Sequence, residues 1–283
     1  MSSGDRRDKK AFGVYAGIMY HTAALGIRLS KLPVLGRLFE TVVSKERLKA
    51  VTVPVNLPLQ DKYAILHFDA AQKLIEASSY ICATNTCVCR EGNGCKEYPA
   101  DIGCMFLGQG ARDITLKGRV KEISKDEALS RLERSRSLGL VNNIIWSSVE
   151  IDILGGDPLH TIELCSCCPC CCLAFRTREG SRAFIDGISG FCVAKVISSG
   201  SCVQCLKCER SCPFHAINVS MHGRPMIDGS RCKGCGRCEV SCDKNVLKVF
   251  PLEHEGGCSS PCSDAGVNPS GIEYLEQFLS MVK

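Results

Sequence analysis

Aromatic side chains make up only 6% of the 283-residue chain, and tryptophan occurs once. The basic residues are not interleaved with rings that could stack on bases, which argues against nucleic-acid binding. A phosphate loop ending in Gly-Lys-Ser/Thr is missing, and Gly108-Gln109-Gly110 neither follows a clear strand nor continues into a dinucleotide fingerprint. Nucleotide, nicotinamide and flavin sites therefore find no support, and no Ser–His–Asp or metal-hydrolase constellation is visible. An apolar run of membrane-spanning length is also lacking. Ala11 to Ile27 is seventeen residues long, diluted by Gly13, Gly17 and Gly26, and carries His21. Arg6 and Arg7 precede it, but Asp8 and Lys9 stand where an export signal has hydrophobic residues. A packed or membrane-surface helix is expected instead. Val34, Leu35, Leu38, Phe39, Val42 and Val43 recur at helical spacing just after it, so residues 11–45 are a candidate membrane-surface contact.

Cysteine, in contrast, is in large excess, with 22 residues. A disulfide scaffold would be a short secreted chain, whereas thiolates that hold metal must stay reduced. The expected location is a reducing cytoplasm, that of an anaerobe, with membrane association as a further option. Eight of the cysteines form two runs of identical spacing, C-x-x-C-x-x-C-x-x-x-C. The first is Cys202, Cys205, Cys208 and Cys212, followed by Pro213; the second is Cys232, Cys235, Cys238 and Cys242, with nineteen residues between the runs. Three thiolates at every third position on a tight loop surround one iron–sulfur cube, and the fourth, leaving on the following helix, reaches the other. One [4Fe–4S] cluster is thus expected on Cys202, Cys205, Cys208 and Cys242, and a second on Cys232, Cys235, Cys238 and Cys212. Gly234 and Gly236 are expected to let backbone N–H groups approach sulfur.

Over about residues 192–252 these runs resemble the bacterial two-cluster ferredoxin family. The resemblance implies a pseudo-twofold sandwich of strand, cluster loop, helix and hairpin, repeated, with the two cubes close enough to exchange electrons. Asp243 departs from the pattern by replacing the family's second proline, and its carboxylate is expected to lower the potential of the first cluster. Gln204 and Leu206 occupy loop positions where small residues are common. The formal charge of +5 falls to about +1 once two clusters of about −2 are added. Between Lys195 and Lys248 nine Lys and Arg face four Asp and Glu. That balance offsets cluster charge and suits an acidic redox partner.

Eleven cysteines lie upstream. Cys82, Cys87, Cys89, Cys95 and Cys104 fall in a stretch rich in Gly and Asn, and Cys165, Cys167, Cys168, Cys170, Cys171 and Cys172 crowd eight positions. Packing does not call for six sulfurs together, and neighbouring cysteines cannot all face one centre. Cys165, Cys167, Cys168 and Cys170 are candidates to converge with the earlier group. An additional iron–sulfur centre is the leading reading; zinc, a dithiol relay and inert thiols remain open. At Cys87-Val88-Cys89-Arg90, Cys95, Tyr98-Pro99, Cys104 and Cys165 to Cys172 the chain is similar to uncharacterised iron–sulfur proteins of anaerobic prokaryotes that join such a region to a ferredoxin module. Glu163-Leu164 departs from the expected lead into the second group. Cys192, Cys258 and Cys262 are given no ligand role.

The expected fold class is α+β, a ferredoxin-like two-cluster module joined to a larger cysteine-rich α+β domain. Residues 1–60 are read as a helical segment ending in an edge strand, because Pro54 and Pro58 interrupt Val51 to Leu59. Residues 61–190 form the cysteine-rich domain. There Phe68 to Ser78 reads as a helix capped by Asp69, and Ser124 to Glu127 as a capping box opening a helix that Gly139 stops. Leu140 to Ile153 reads as two short strands around Trp146, suggesting a winged-helix-like unit. Residues 191–252 are the ferredoxin module, and 253–283 a loop and a docking helix. The expected function is single-electron transfer between a redox partner and the upstream cysteines, more as a carrier or part of a redox complex than as a stand-alone enzyme. The alternatives are a reductase with its active centre in those cysteines, and a structural or membrane-peripheral adaptor.

Overall fold

A computed structural model describes residues 3–42, 47–55, 70–115, 118–220, 224–252 and 270–283. The chain opens with helix α1, Ser3–Leu29, in which Phe12, Ala16, Tyr20, Ala24 and Ile27 recur every three or four residues and are buried. Val14, Ile18 and Leu25, on its other side, are exposed. Helix α2, Pro33–Val42, follows, with Val34 open to solvent.

Seven strands then build one sheet: β1 Leu48–Val53, β2 Ile81–Thr84, β3 Met105–Leu107, β4 Val120–Glu122, β5 Val141–Ser147, β6 Ile162–Cys167 and β7 Ile188–Gly190, in the order β4-β2-β3-β6-β5-β1-β7. Neighbours run antiparallel except β1 and β7. β1 is therefore an inner strand, not the edge that its prolines suggest. It ends at Val53, so Pro54 terminates pairing without removing a ladder hydrogen bond. Pro58 and Leu59 lie outside the described residues, as do Phe68 and Asp69, the expected start and cap of the helix that appears as α3, Ala70–Ala77.

Side chains of β6 alternate between faces. Glu163, Cys165 and Cys167 point one way, opposite Ile145, Asn143 and Val141 of β5. Leu164 points the other way, to the face that also carries Val51, Ile144 and Trp146. The second face is covered by α3 and by the C-terminal helix α11, Ser270–Val282, where Lys49 of β1 donates to Gln277 Oε1. Leu275, Phe278 and Val282 of α11 are buried, and Ser79 N–H donates to Val282 O, so the tail docks on the body as its amphipathic pattern implies. The first face is covered by α1 and by helix α4, Val88–Gly92. Gly92 makes that crossing possible, because a Cβ there would stand 2.4 Å from Ala16 O and 2.7 Å from Tyr20 Cβ.

Helix α5, Lys125–Ser137, begins at the expected N-cap, with Ser124 Oγ accepting from Glu127 N–H, a cap worth about 1 kcal/mol. Gly139, at φ 67°, follows its end. The expected hairpin around Trp146 is instead one strand, β5, followed by helix α6, Ser148–Leu154. Ser147 Oγ accepts from Glu150 N–H and opens the helix directly after the strand. No winged-helix unit forms, because β5 is central to the seven-stranded sheet. Two short helices, α7 Leu173–Arg176 and α8 Arg182–Asp186, lead to β7.

The remaining module repeats itself. Strand β8, Cys192–Val196, pairs antiparallel with β11, Leu247–Pro251, and β9, Ile217–Val219, with β10, Pro225–Ile227. Helices α9, Lys207–Ser211, and α10, Arg237–Val240, pack together. Glu209 and Glu239 accept from Val219 and Val249 N–H at 2.8 and 2.7 Å, the same bond repeated thirty residues on. Ser211 Oγ meets its counterpart Ser241 Oγ at 2.9 Å between the two halves. The fold class is α+β.

Candidate iron–sulfur and thiolate sites

Each cysteine loop of the module bends through left-handed backbone at matching positions, Gln204 and Leu206 in one, Gly234 and Gly236 in the other. Cys202, Cys205 and Cys208 of the first loop line a cavity of about 100 Å³ together with Cys242, the last cysteine of the second run. The same wall carries Val219, Pro225, Val246 and Leu247, an apolar lining that keeps water from sulfur. Cys212 stands with the other set, its sulfur acting on Cys232, Cys235 and Cys238. Burial is the main cause that pushes the Cys235 thiol up to about 12 and raises Cys232 and Cys238 as well. Such thiols become thiolates when a metal cation replaces the proton.

Backbone N–H groups point at sulfur symmetrically: Ala216 to Cys212 Sγ at 3.3 Å, Val246 to Cys242 Sγ at 3.4 Å and Ala194 to Cys232 Sγ at 3.5 Å. The glycines of the second loop also have a tighter reason to be glycine. A Cβ on Gly234 would fall 2.0 Å from Cys192 O, and one on Gly236 would fall 2.6 Å from Val55 O. Val55 N–H donates to Cys235 O at 3.0 Å, and Arg237 donates to both Gly139 O and Ser211 O. The second loop is thus seated against the cysteine-rich domain, while Val203 and Cys205 of the first are exposed. Asp243 does not act alone beside Cys242: it is ion-paired with Lys207, which holds its carboxyl below the ordinary range. His215 is exposed in a turn at φ 49°.

Upstream, ten of the eleven cysteines gather in two groups. In the inner group Cys104 and Cys165 are 3.1 Å apart, Cys167 and Cys172 3.0 Å apart, and Cys165 donates to Glu163 Oε1 at 3.2 Å. Cys89 lies beside both Cys172 and Cys87 and joins them to the series. Cys165 lowers the pKa of Cys104, but burial and the Glu163 carboxylate outweigh it and leave Cys104 at about 12. Cys167 is the opposite case: burial raises it, yet its polar neighbours Cys165, Cys172 and Asn143 bring it to about 7. In the outer group the sulfurs of Cys95, Cys168, Cys170 and Cys171 all lie within 4.8 Å of one another. Burial raises Cys95, but N–H groups of Tyr98 and Glu97 and its thiol neighbours leave it lowered.

The second crowded run therefore divides where the strand ends. Cys165 and Cys167 share one face of β6, and Cys168 and Cys170, expected to join them, belong to the outer group because the chain has left the sheet. Cys82 joins neither group. It is paired in register with Phe106, which in turn is paired with Glu163, so a ring stands between its strand and the thiols. Cys82 packs in an apolar cluster with Ala111 and Ile114, donates to Ala111 O, and is pushed by burial to about 12. Cys192 is likewise buried. Cys258 and Cys262 lie outside the described residues.

Three polar residues of these sites were not singled out by spacing. Arg90, 1% exposed, donates to Ser166 O and Ile102 O. Burial lowers its pKa, but Cys87, Cys168 and Cys104 act as negative neighbours and leave it raised. Asn93 Nδ2 donates to Cys171 Sγ at 3.1 Å, and the amide of Asn143 faces Cys167 from the neighbouring strand. Arg90 directly after Cys89 is the one signal legible in sequence, since a cation beside clustered thiols balances their charge.

Residues 195–218 match the model of a 4Fe-4S binding domain, so the chain carries a site of that class. Over 68 residues it is 31% identical to a component of the Na(+)-translocating ferredoxin:NAD(+) oxidoreductase complex of Acetobacterium woodii, an alignment covering 22% of this chain and 20% of that protein. The chain thus spans about a fifth of the length of that curated relative. No solved structure matches it. Among the described residues no helix is long and apolar enough to cross a membrane.

Proposed function

We propose that the protein relays single electrons through two [4Fe–4S] clusters between the upstream cysteine region and a redox protein partner. Cys202, Cys205, Cys208 and Cys242 would hold one cluster, and Cys232, Cys235, Cys238 and Cys212 the other. The observation that carries this reading is the cavity shared by three cysteines of one run and the last of the other. Bound there, each cluster supplies a one-electron couple, and the chain supplies the N–H donors to Cys212, Cys232 and Cys242 that stabilise added negative charge.

The order of the relay follows from the surroundings of the loops. The second loop touches Val55, just past β1, and Gly190 of β7, both on the seven-stranded sheet's side of the molecule. The first presents Val203 at 61% exposure and Leu206 at 40%, an apolar rim suited to a docking protein. Lys244 beside it is exposed and favours an acidic partner. Membership in a larger redox assembly is consistent with the relative's name. The exposed Val14, Ile18 and Leu25 of α1 keep residues 11–45 as a proposed membrane-surface contact.

Anaerobic purification with iron and sulfide analysis, followed by EPR of Cys242→Ser and Cys212→Ser, tests the assignment. Each variant should perturb one cluster, C242S that of the first loop and C212S that of the second. Perturbation of the cluster on the variant's own loop would reverse the crossing, and absence of any low-potential iron–sulfur signal would remove the electron-transfer reading.

A further inference from the structure

The two upstream groups differ in the number of sulfurs and in the room between them. The inner group offers six thiols and Glu163, more donors than one ion takes. In the outer group four sulfurs fall within 4.8 Å of one another, with Cys95 to Cys170 at 3.6 Å and Cys170 to Cys171 at 3.4 Å. Tetrahedral coordination at a metal–sulfur distance of about 2.3 Å separates thiolates by about 3.8 Å. The outer group comes close to that spacing at two contacts, and none of its sulfur pairs exceeds 4.8 Å. A cubane sets four irons between its thiolates and spreads them farther than 4.8 Å.

Arg90 provides a second observation. Arg90 is 1% exposed, its NH groups donate to two uncharged carbonyls, Nε has no hydrogen-bond partner, and Cys168 of the outer group is among its nearest sulfurs. Among the described residues no Asp or Glu pairs with it, so the buried positive charge lacks a carboxylate. A buried cation without an anion is costly. Four neutral thiols would not supply that anion, whereas four thiolates around a divalent ion carry about −2. Asn93, donating to Cys171 Sγ, gives the same charge a hydrogen bond. Cys170 is exposed, which leaves an entry path for an ion.

We infer that Cys95, Cys168, Cys170 and Cys171 form a mononuclear tetrathiolate site for one zinc or iron ion, separate from any polynuclear centre, with the buried Arg90 as a counter-charge that it shares with the inner group. The inference narrows the upstream metal-binding reading to one site of stated nuclearity. It can fail while the ferredoxin module stands, because the module's EPR signals are read in the same sample.

The experiment uses the full chain purified anaerobically, with zinc, iron and acid-labile sulfide counted per chain before and after Cys170→Ser/Cys171→Ser. Loss of one metal atom with sulfide and module signals unchanged is expected. Loss of several irons with matching sulfide, or no loss of metal at all, overturns the proposal. X-ray absorption and EPR of the unmodified chain cover the case of a variant that does not fold. A zinc edge with four sulfurs at about 2.3 Å and no metal neighbour, or a single-iron ferric signal, supports the site, and the absence of both overturns it.

Discussion

Gln204 and Leu206 in the first cysteine loop, and Gly234 and Gly236 in the second, hold the same left-handed backbone, at φ 56°, 58°, 60° and 81°. His215 and Asn245 repeat the correspondence at 49° and 51°. One backbone is thus reached with and without side chains, and the reason lies outside the loops. The second loop packs on Cys192 and Val55, where a Cβ has no space, whereas the first faces the surface and its side chains extend outward. Positive φ is tolerated by both loops; close approach of another chain segment is what demands glycine in only one.

The largest effect expected from this difference is that of Gly234→Ala. The new methyl would sit 2.0 Å from Cys192 O and 2.2 Å from Cys192 C, both backbone atoms that cannot step aside without moving β8. Added to the cost of a left-handed alanine, this should destabilise the module by about 3 kcal/mol or more. Thermal unfolding should shift down, and iron content should fall toward that of a single cluster. A G234A protein with wild-type iron and melting temperature would mean that the second loop is not pinned, and the contrast between the loops would collapse.

A smaller effect of opposite sign is expected in the first loop. Gln204→Gly and Leu206→Gly each relieve a strained φ without opening a packed space, and the gain is reduced by the larger unfolded-state entropy of glycine. Each should stabilise the chain by up to about 1 kcal/mol, raising the melting temperature by about 2–4 °C. Destabilisation instead would show that these side chains make contacts that matter more than the strain.

The legible and illegible parts of the sequence divide along a physical line. Ligand spacing in the two runs depends on local loop geometry, and the order strand, loop, helix and hairpin follows from it over residues 192 to 251. The Ser124 N-cap and the amphipathic α1 are also local, and both form, although the Glu127 carboxylate that would complete a capping box pairs with Arg131 and Lys121 instead. The seven-stranded sheet is not local. β1 lies between β5 and β7, strands far away in sequence, so its two prolines could not reveal that it is internal. Trp146 belongs to a single long strand because Lys49 and its neighbours pair along it. The partition of the upstream cysteines needed the same information. Cys82 alternates onto the same face as Glu163, and only the register shows that Phe106 stands between. Sorting Cys168 from Cys167 required knowing that the strand ends between them. Arg90 was visible but not interpretable until its burial was known.

The smallest predicted effect concerns charge at the first loop. Asp243 alone would disfavour an electron on the neighbouring cluster, and the sequence expectation of a lowered potential rests on that carboxylate. Its ion pair with Lys207, both partners being largely exposed, turns a single charge into a dipole whose field decays faster and is screened by salt. Asp243→Asn should therefore raise one midpoint potential by at most a few tens of millivolts, and Lys207→Gln should lower the same one, because the freed carboxylate then acts unopposed. The double variant should return close to wild type. The second loop is the internal control: its Lys233 is 8% exposed and its cysteines are shielded by the cysteine-rich domain, so its midpoint should stay fixed in all three proteins. Redox titration followed by EPR at low and high ionic strength separates the outcomes. If Asp243→Asn shifts the midpoint strongly while Lys207→Gln does nothing, the pair is not formed in solution and the carboxylate sets the difference between the loops. If the two midpoints move together, the loops are electrostatically joined and the exposed and buried sites are not independent.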